Sequence, residues 1–231
     1  MKTLGIVGGI GPASTIEYYR AILAAYRERH GNVSAPSIFI NSIDLHRLLE
    51  LVAAGQLEAV TGYLVEELER LANAGATLGI LAANTPHVVF DDVVRRSAIP
   101  LVSIVEATCA EAKARALTRL GLFGTRFTMQ GHFYQDVFSR HGLNIVVPAN
   151  DEQAYIHDKY TTELLRSVFL PRTREGFFRI VERLKERDGV DGIILGGTEL
   201  PLILSEDTAS GIPLLDTTKI HAKAAVAQLW S

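Results

Sequence analysis

The sequence predicts an α/β protein of two pseudo-symmetric halves, each built on a parallel sheet, with an interdomain cleft for a small ligand. Two observations carry this. Short apolar runs alternate with longer segments of helical period, as βα units do. The chain also repeats itself. Leu4-Gly5-Ile6-Val7-Gly8 matches Leu120-Gly121-Leu122-Phe123-Gly124 at an offset of 116 residues, the turn at Ala83 matches the turn at Gly197 at 114, and Ile99-Pro100-Leu101-Val102 matches Ile212-Pro213-Leu214-Leu215 at 113. Three matches in one order at nearly one offset argue for two similar units. The seam falls near residues 100–118. This predicts an N-terminal half over 1–100 and a C-terminal half over 101–217, with a last helix, 218–230, packing back on the first half.

Taken in order, the apolar runs predict strands at Leu4–Gly8, Ser37–Ile43, Leu78–Ala82, Leu101–Ile104, Arg119–Gly124, Asn144–Val147, Gly192–Gly196 and Pro213–Asp216. Helices follow most of them. The clearest is 55–74, where Leu57, Val60, Leu64, Leu68 and Leu71 recur at steps of three and four. Segments 175–187 and 218–230 also read as helices. Open parallel sheets bind ligands beyond the carboxyl ends of their strands, so the strand-end turns are where chemistry is expected.

Composition narrows the function. A length of 231 residues with 48% hydrophobic and 21% charged residues is that of a chain able to bury a substantial core. A net charge of −3 offers no basic surplus for nucleic acid. The longest apolar runs, about seven to ten residues, are too short to span a bilayer. Met1-Lys2-Thr3 leads straight into a strand with no signal-peptide pattern, which predicts a cytoplasmic location. A single cysteine, Cys109, rules out an intrachain disulfide framework, and the seven histidines show no metal-ligand spacing. The expected partner is a small molecule, with neither metal nor cofactor.

Four strand-end turns could hold a small anion. Gly8-Gly9-Ile10-Gly11-Pro12 allows close backbone approach at Gly9 and Ile10, and Pro12 suits a first helical turn. It is neither GxGxxG nor a phosphate-binding P-loop. In Asn84-Thr85-Pro86-His87, Thr85 reads as an N-cap and Pro86 as the first helical residue, so the turn offers free N–H groups to a carboxylate. His87 there is either a base or a structural hydrogen-bonding residue. Gly124-Thr125-Arg126-Phe127-Thr128 supplies hydroxyls, with Thr125 the better ligand candidate. Gly196-Gly197-Thr198-Glu199 completes the set; Glu199 either favours a helix start or, if desolvated, acts as an acid or base. Arg47 and Lys159 are the cations considered for a distal carboxylate, and Cys109, in a helical run of alanines, reads as a core residue.

These segments, with Thr128-Met129 and Asp216-Thr217-Thr218-Lys219-Ile220-His221, resemble those of the aspartate/glutamate racemase family over essentially the whole chain. The resemblance implies an interdomain active site, no PLP, no metal and a homodimer. It also implies that Asn84, Thr85, Thr125 and Thr198 surround the substrate's α-carboxylate and amino group. In two-thiol members of the family, the positions held here by Ala83 and Gly197 each carry a cysteine, one thiolate taking the α-proton and the other thiol returning a proton to the opposite face. Alanine and glycine cannot titrate. The resemblance therefore implies a cofactor-independent racemase or isomerase acting on a small acid without the two-thiol mechanism, with His87 or Glu199 moving the proton. The alternatives are an inactive small-acid binding or sensing protein, and a one-base lyase or decarboxylase-type reaction in the same cleft.

Overall fold

The computed structural model describes residues 2–31 and 35–230. The chain divides into two compact units, Met1–Ile104 with Thr218–Ser231, and Val105–Thr217. The first unit contains strands β1 (Leu4–Gly8), β2 (Ile38–Ser42), β3 (Leu78–Leu81) and β4 (Leu101–Val102), in sheet order β2-β1-β3-β4. All pairings are parallel, with Ile6 opposite both Ile40 and Ile80, and Ile80 opposite Val102. Side chains alternate across a strand, and this unit uses both faces. Leu4, Ile6, Leu78 and Ile80 bury against Tyr18 and Ile22 of the helix Pro12–His30 and Ala222, Ala225 and Val226 of the helix Thr217–Gln228. Val7 and Leu81 bury on the other face with Leu48, Leu64 and Leu68 from the helices Leu45–Ala53 and Leu57–Asn73.

The second unit contains β5 (Arg119–Gly124), β6 (Asn144–Val146), β7 (Gly192–Gly196), β8 (Thr208–Ala209) and β9 (Ile212–Asp216), in order β6-β5-β7-β9-β8. Apart from β8, which is antiparallel to β9, the order and direction reproduce those of the first unit. Its core joins Phe123, Ile193 and Leu195 to Ile156 and Tyr160 of the helix Asn150–Thr162 and Phe177, Ile180 and Val181 of the helix Pro171–Asp188.

Several boundaries differ from the sequence expectation for local reasons. The fourth strand ends at Val102 because Ile104 already opens the helix Ile104–Ala114. The helix expected over 55–74 starts at Leu57, since Gly55 turns the chain at φ +66°. The helix expected over 175–187 begins four residues earlier at Pro171, whose fixed φ suits a first turn. Strand β8, two residues long, carries too short a pattern to be read from sequence.

Candidate functional site

Parallel register brings the strand-end turns together within each unit. Val7 pairs with Leu81, so the turns after β1 and β3 leave the same sheet edge side by side; Gly124 pairs with Gly196, which does the same for the turns after β5 and β7.

In the first unit, the turn after β1 is closed by its own residues. Thr15 Oγ1 accepts the Gly9 N–H at 2.8 Å and donates to Gly11 O at 3.2 Å. Gly9 has φ +83°, and a Cβ there would lie 2.6 Å from Ile43 O and 2.7 Å from Ile43 N, so only glycine fits. Ile10 is buried in the core. The turn after β3 continues as a single stretch of 3-10 helix, Thr85–Val89, and then the short helix Phe90–Arg96. The residue preceding the helical stretch is Asn84, with Asn84 O accepting from His87 N at 2.9 Å; Thr85 is its first residue, one place later than a cap. Asn84 is buried and Thr85 half-buried.

His87 is buried, with both ring nitrogens bonded to backbone. Nε2 accepts the Ile104 N–H at 3.2 Å, which leaves the ring proton on Nδ1 to donate to Ala83 O at 2.9 Å. The ring stacks on Phe90 with centroids 4.7 Å apart. Burial, then the neighbouring His221, pulls its pKa down to about 3. His221 is its counterpart on the last helix: Nδ1 meets Tyr18 OH at 2.9 Å and Nε2 meets Val102 O at 2.9 Å, and burial lowers its pKa to about 4. Both rings are neutral at pH 7.

In the second unit, Thr125 caps the helix Arg126–Gln130, its Oγ1 accepting from Thr128 N at 3.3 Å. Arg126 N donates to His157 Nδ1 at 3.3 Å. The turn after β7 places Gly197, Thr198 and Glu199 ahead of the four-residue helix Leu200–Ile203. Glu199 is only 3% exposed. Its Oε2 accepts a hydrogen bond from Tyr160 OH and another from Thr198 Oγ1 at 3.1 Å. Tyr160, equally enclosed, comes from the helix Asn150–Thr162; burial first, then the Glu199 carboxylate, pushes its phenol well above the usual range. Tyr160 and His157 were not singled out from sequence. They share one helix face at a spacing of three, but nothing in their immediate neighbourhood forms a motif.

Gly197 does not need glycine for its φ, since it is absent from the left-handed positions. What a side chain there would displace is Tyr160: a Cβ at 197 would lie 2.5 Å from Cε2, 2.9 Å from OH and 3.0 Å from Cζ. Ala83 packs into the core of its own unit. Cys109 is buried, and burial raises its thiol pKa, the environment of an inert core cysteine. Lys159 is engaged by Asp158 at 3.2 Å and Glu163 at 3.1 Å, and Arg47 lies 4.2 Å over the Tyr63 ring. Among the described residues no cluster of three or more His, Cys, Asp or Glu suits a metal ion, and no helix is long and apolar enough to cross a membrane.

The turns and their two matched sheets have close relatives. The crystal structure of a Yersinia pestis protein assigned provisionally to the Asp/Glu racemases superposes with a TM-score of 0.90 at 33% identity, each chain fully covered. An aspartate racemase homologue from Pyrococcus horikoshii OT3 does so with a TM-score of 0.85 at 32% identity, again over the whole of both chains. The broad specificity amino-acid racemase RacX of Bacillus subtilis is 23% identical over 228 residues, 96% of each chain. The family model described as Asp/Glu/Hydantoin racemase matches residues 7–225. This chain belongs to the Asp/Glu/hydantoin racemase family.

Proposed function

We propose that the protein binds a small acidic amino or hydroxy acid through its α-carboxylate and moves the α-proton slowly, using protein groups alone and no two-thiol pair. The observation that carries the reading is the buried Glu199 carboxylate, bonded to Tyr160 and Thr198 at a strand-end turn beside the Thr125 cap. Thr125, Thr198, Asn84 and Thr85 are the hydroxyl and amide groups offered to the substrate. Gly9 and Ile10 shape the wall; the Gly9 amide is already held by Thr15, so its contribution is close approach rather than a hydrogen bond. Glu199 is the proton-moving group. His87 positions the Ala83 turn, since each of its ring nitrogens is committed to backbone. The named activity of RacX, broad-specificity amino-acid racemisation, supports an amino-acid ligand. By likeness to the family, the reading extends to a cofactor-free homodimer in the cytoplasm, with Ala83 and Gly197 standing where two-thiol relatives carry cysteines.

A second reading, a small-acid sensor without turnover, is favoured by one observation: the space where a residue-197 side chain would project is filled by the Tyr160 ring. Incubation in D2O with D- and L-aspartate and glutamate separates the two. Ligand-observed NMR reports binding, and loss of the α-proton signal reports chemistry. Binding with slow α-exchange is expected. Binding with no exchange over days would hand the protein to the sensor reading, and no binding of any small carboxylate would sink both.

A further inference from the structure

We infer that Tyr160 and Glu199 form one proton-carrying pair, with the hydroxyl-bearing edge of the Tyr160 ring lying against the place a Cβ at position 197 would take, and that this pair serves a single face of the substrate. The inference rests on the α-proton chemistry proposed above and names the group that performs it.

Three observations meet at this point. The backbone at 197 would accept any L residue by its φ, yet a Cβ there would come 2.5 Å from the Tyr160 ring and 2.9 Å from its oxygen. The absent side chain and the inserted phenol are thus two parts of one arrangement. The phenol then hands its hydrogen to Glu199 Oε2, which Thr198 Oγ1 also holds, at 3.1 Å. The carboxylate is therefore oriented by two hydroxyls and withdrawn from water, at 3% exposure. The matching turn of the first unit has no such pair: Ala83 contributes a methyl group, and His87 is neutral and bonded at both nitrogens.

The step balances within the protein. The Tyr160 oxygen takes the α-proton while its own proton passes to Glu199. One C–H bond breaks, one O–H bond forms on the carboxyl group, and the negative charge moves from the carboxylate to the α-carbon. The reverse relay returns to that same face the proton the Tyr160 oxygen took, or a deuteron once that hydroxyl has exchanged with solvent, while Glu199 gives its proton back to the phenol. A free phenolate never forms, in keeping with the burial and the adjacent charge that push the phenol up. Because departure and return use one face, configuration is retained.

The test is α-proton exchange in D2O, run separately on D and L enantiomers of aspartate and glutamate, with chiral chromatography of the product and ligand-observed NMR for binding. The unmodified protein is expected to exchange one enantiomer without inverting it. Tyr160→Phe, which keeps the ring, and Glu199→Gln should each slow exchange by about 10²-fold or more while binding persists. The double variant should be no slower than either, because the two act as a unit. Gly197→Ala removes no titratable group but must displace the phenol, so it should slow exchange as well. If Glu199→Gln does not fold by near-UV circular dichroism, Tyr160→Phe decides. Exchange at the unmodified rate in Tyr160→Phe would overturn the pair and leave the proposed function standing. Equal inversion of both enantiomers would overturn the single-face assignment. Binding without any exchange in the unmodified protein would overturn both the pair and the chemistry it rests on.

Discussion

His87 and His221 give the first unit a pH-dependent stability whose sign follows from their burial. Folded pKa values of about 3 and about 4 lie below the ordinary histidine value of about 6.5. Between those limits the unfolded chain binds more protons than the folded one, so stability is fully present above pH 6.5 and falls as pH drops towards 4. At pH 5 the loss is about 2 kcal/mol for each ring. Urea unfolding at pH 7 and pH 5 should show the decline, and His87→Gln should remove about half of it. An unchanged pH slope in that variant would show that His87 is not excluded from protonation. Legibility at this scale was uneven. Glu199 and His87 could be picked out because each follows a recognisable strand end. Tyr160 could not: it lies 39 residues before Glu199, on a helix whose apolar face is weak, and only the packing shows why residue 197 is glycine.

At the scale of elements, the turn after β1 is tightly constrained by its backbone. Gly9 combines φ +83° with a would-be Cβ pressed against the backbone of Ile43, so relief cannot come from a side-chain rotation. Gly9→Ala should cost about 1–3 kcal/mol for the conformation alone, with the collision adding to it. Thermal unfolding that matched the parent would mean the turn rearranges freely. The central strands β1, β5 and β7 were legible to the residue, because, apart from the half-buried Arg119 that opens β5, each is buried and made of apolar residues and glycine, ending on glycine. Ends that depend on a cap were less so. The sequence reading gave Thr85 the cap role, whereas the chain takes up 3-10 geometry there and Asn84 precedes it. Proline after threonine suits the first turn of either helix type, so the residues alone do not choose.

The whole molecule is a duplicated design whose copies have diverged at the turns. The repeat of strands near residues 4, 78 and 101 at 120, 192 and 214 was visible in the sequence because buried parallel strands are written in the same few apolar residues and glycine, and both sheets carry the resulting common order. What the repeat cannot reveal is how each turn is filled. In the first unit Ala83 leaves core packing and a backbone-bound histidine; in the second Gly197 leaves room for a tyrosine from another helix. This difference bears on the restoration of a two-thiol reaction. Inversion needs a proton acceptor and a donor on opposite faces of the carbon, so a cysteine in one unit alone should give little racemisation. On the proposed reading, in which two-thiol relatives carry cysteines at these two positions, Ala83→Cys with Gly197→Cys would supply both groups, but a Cβ at 197 would lie 2.5 Å from the Tyr160 ring, and moving the phenol aside breaks its hydrogen bond to Glu199. Adding Tyr160→Ala vacates that volume. The triple variant should therefore racemise aspartate or glutamate faster than the double, by roughly 10-fold or more given that a positioned acid–base group contributes about 10²–10⁴-fold. Chiral chromatography after equal incubation measures the comparison, with thermal unfolding as a control for the cavity left by tyrosine. A double variant already as fast as the triple would show that Tyr160 does not obstruct a side chain at 197, and would remove the steric basis for glycine at that position.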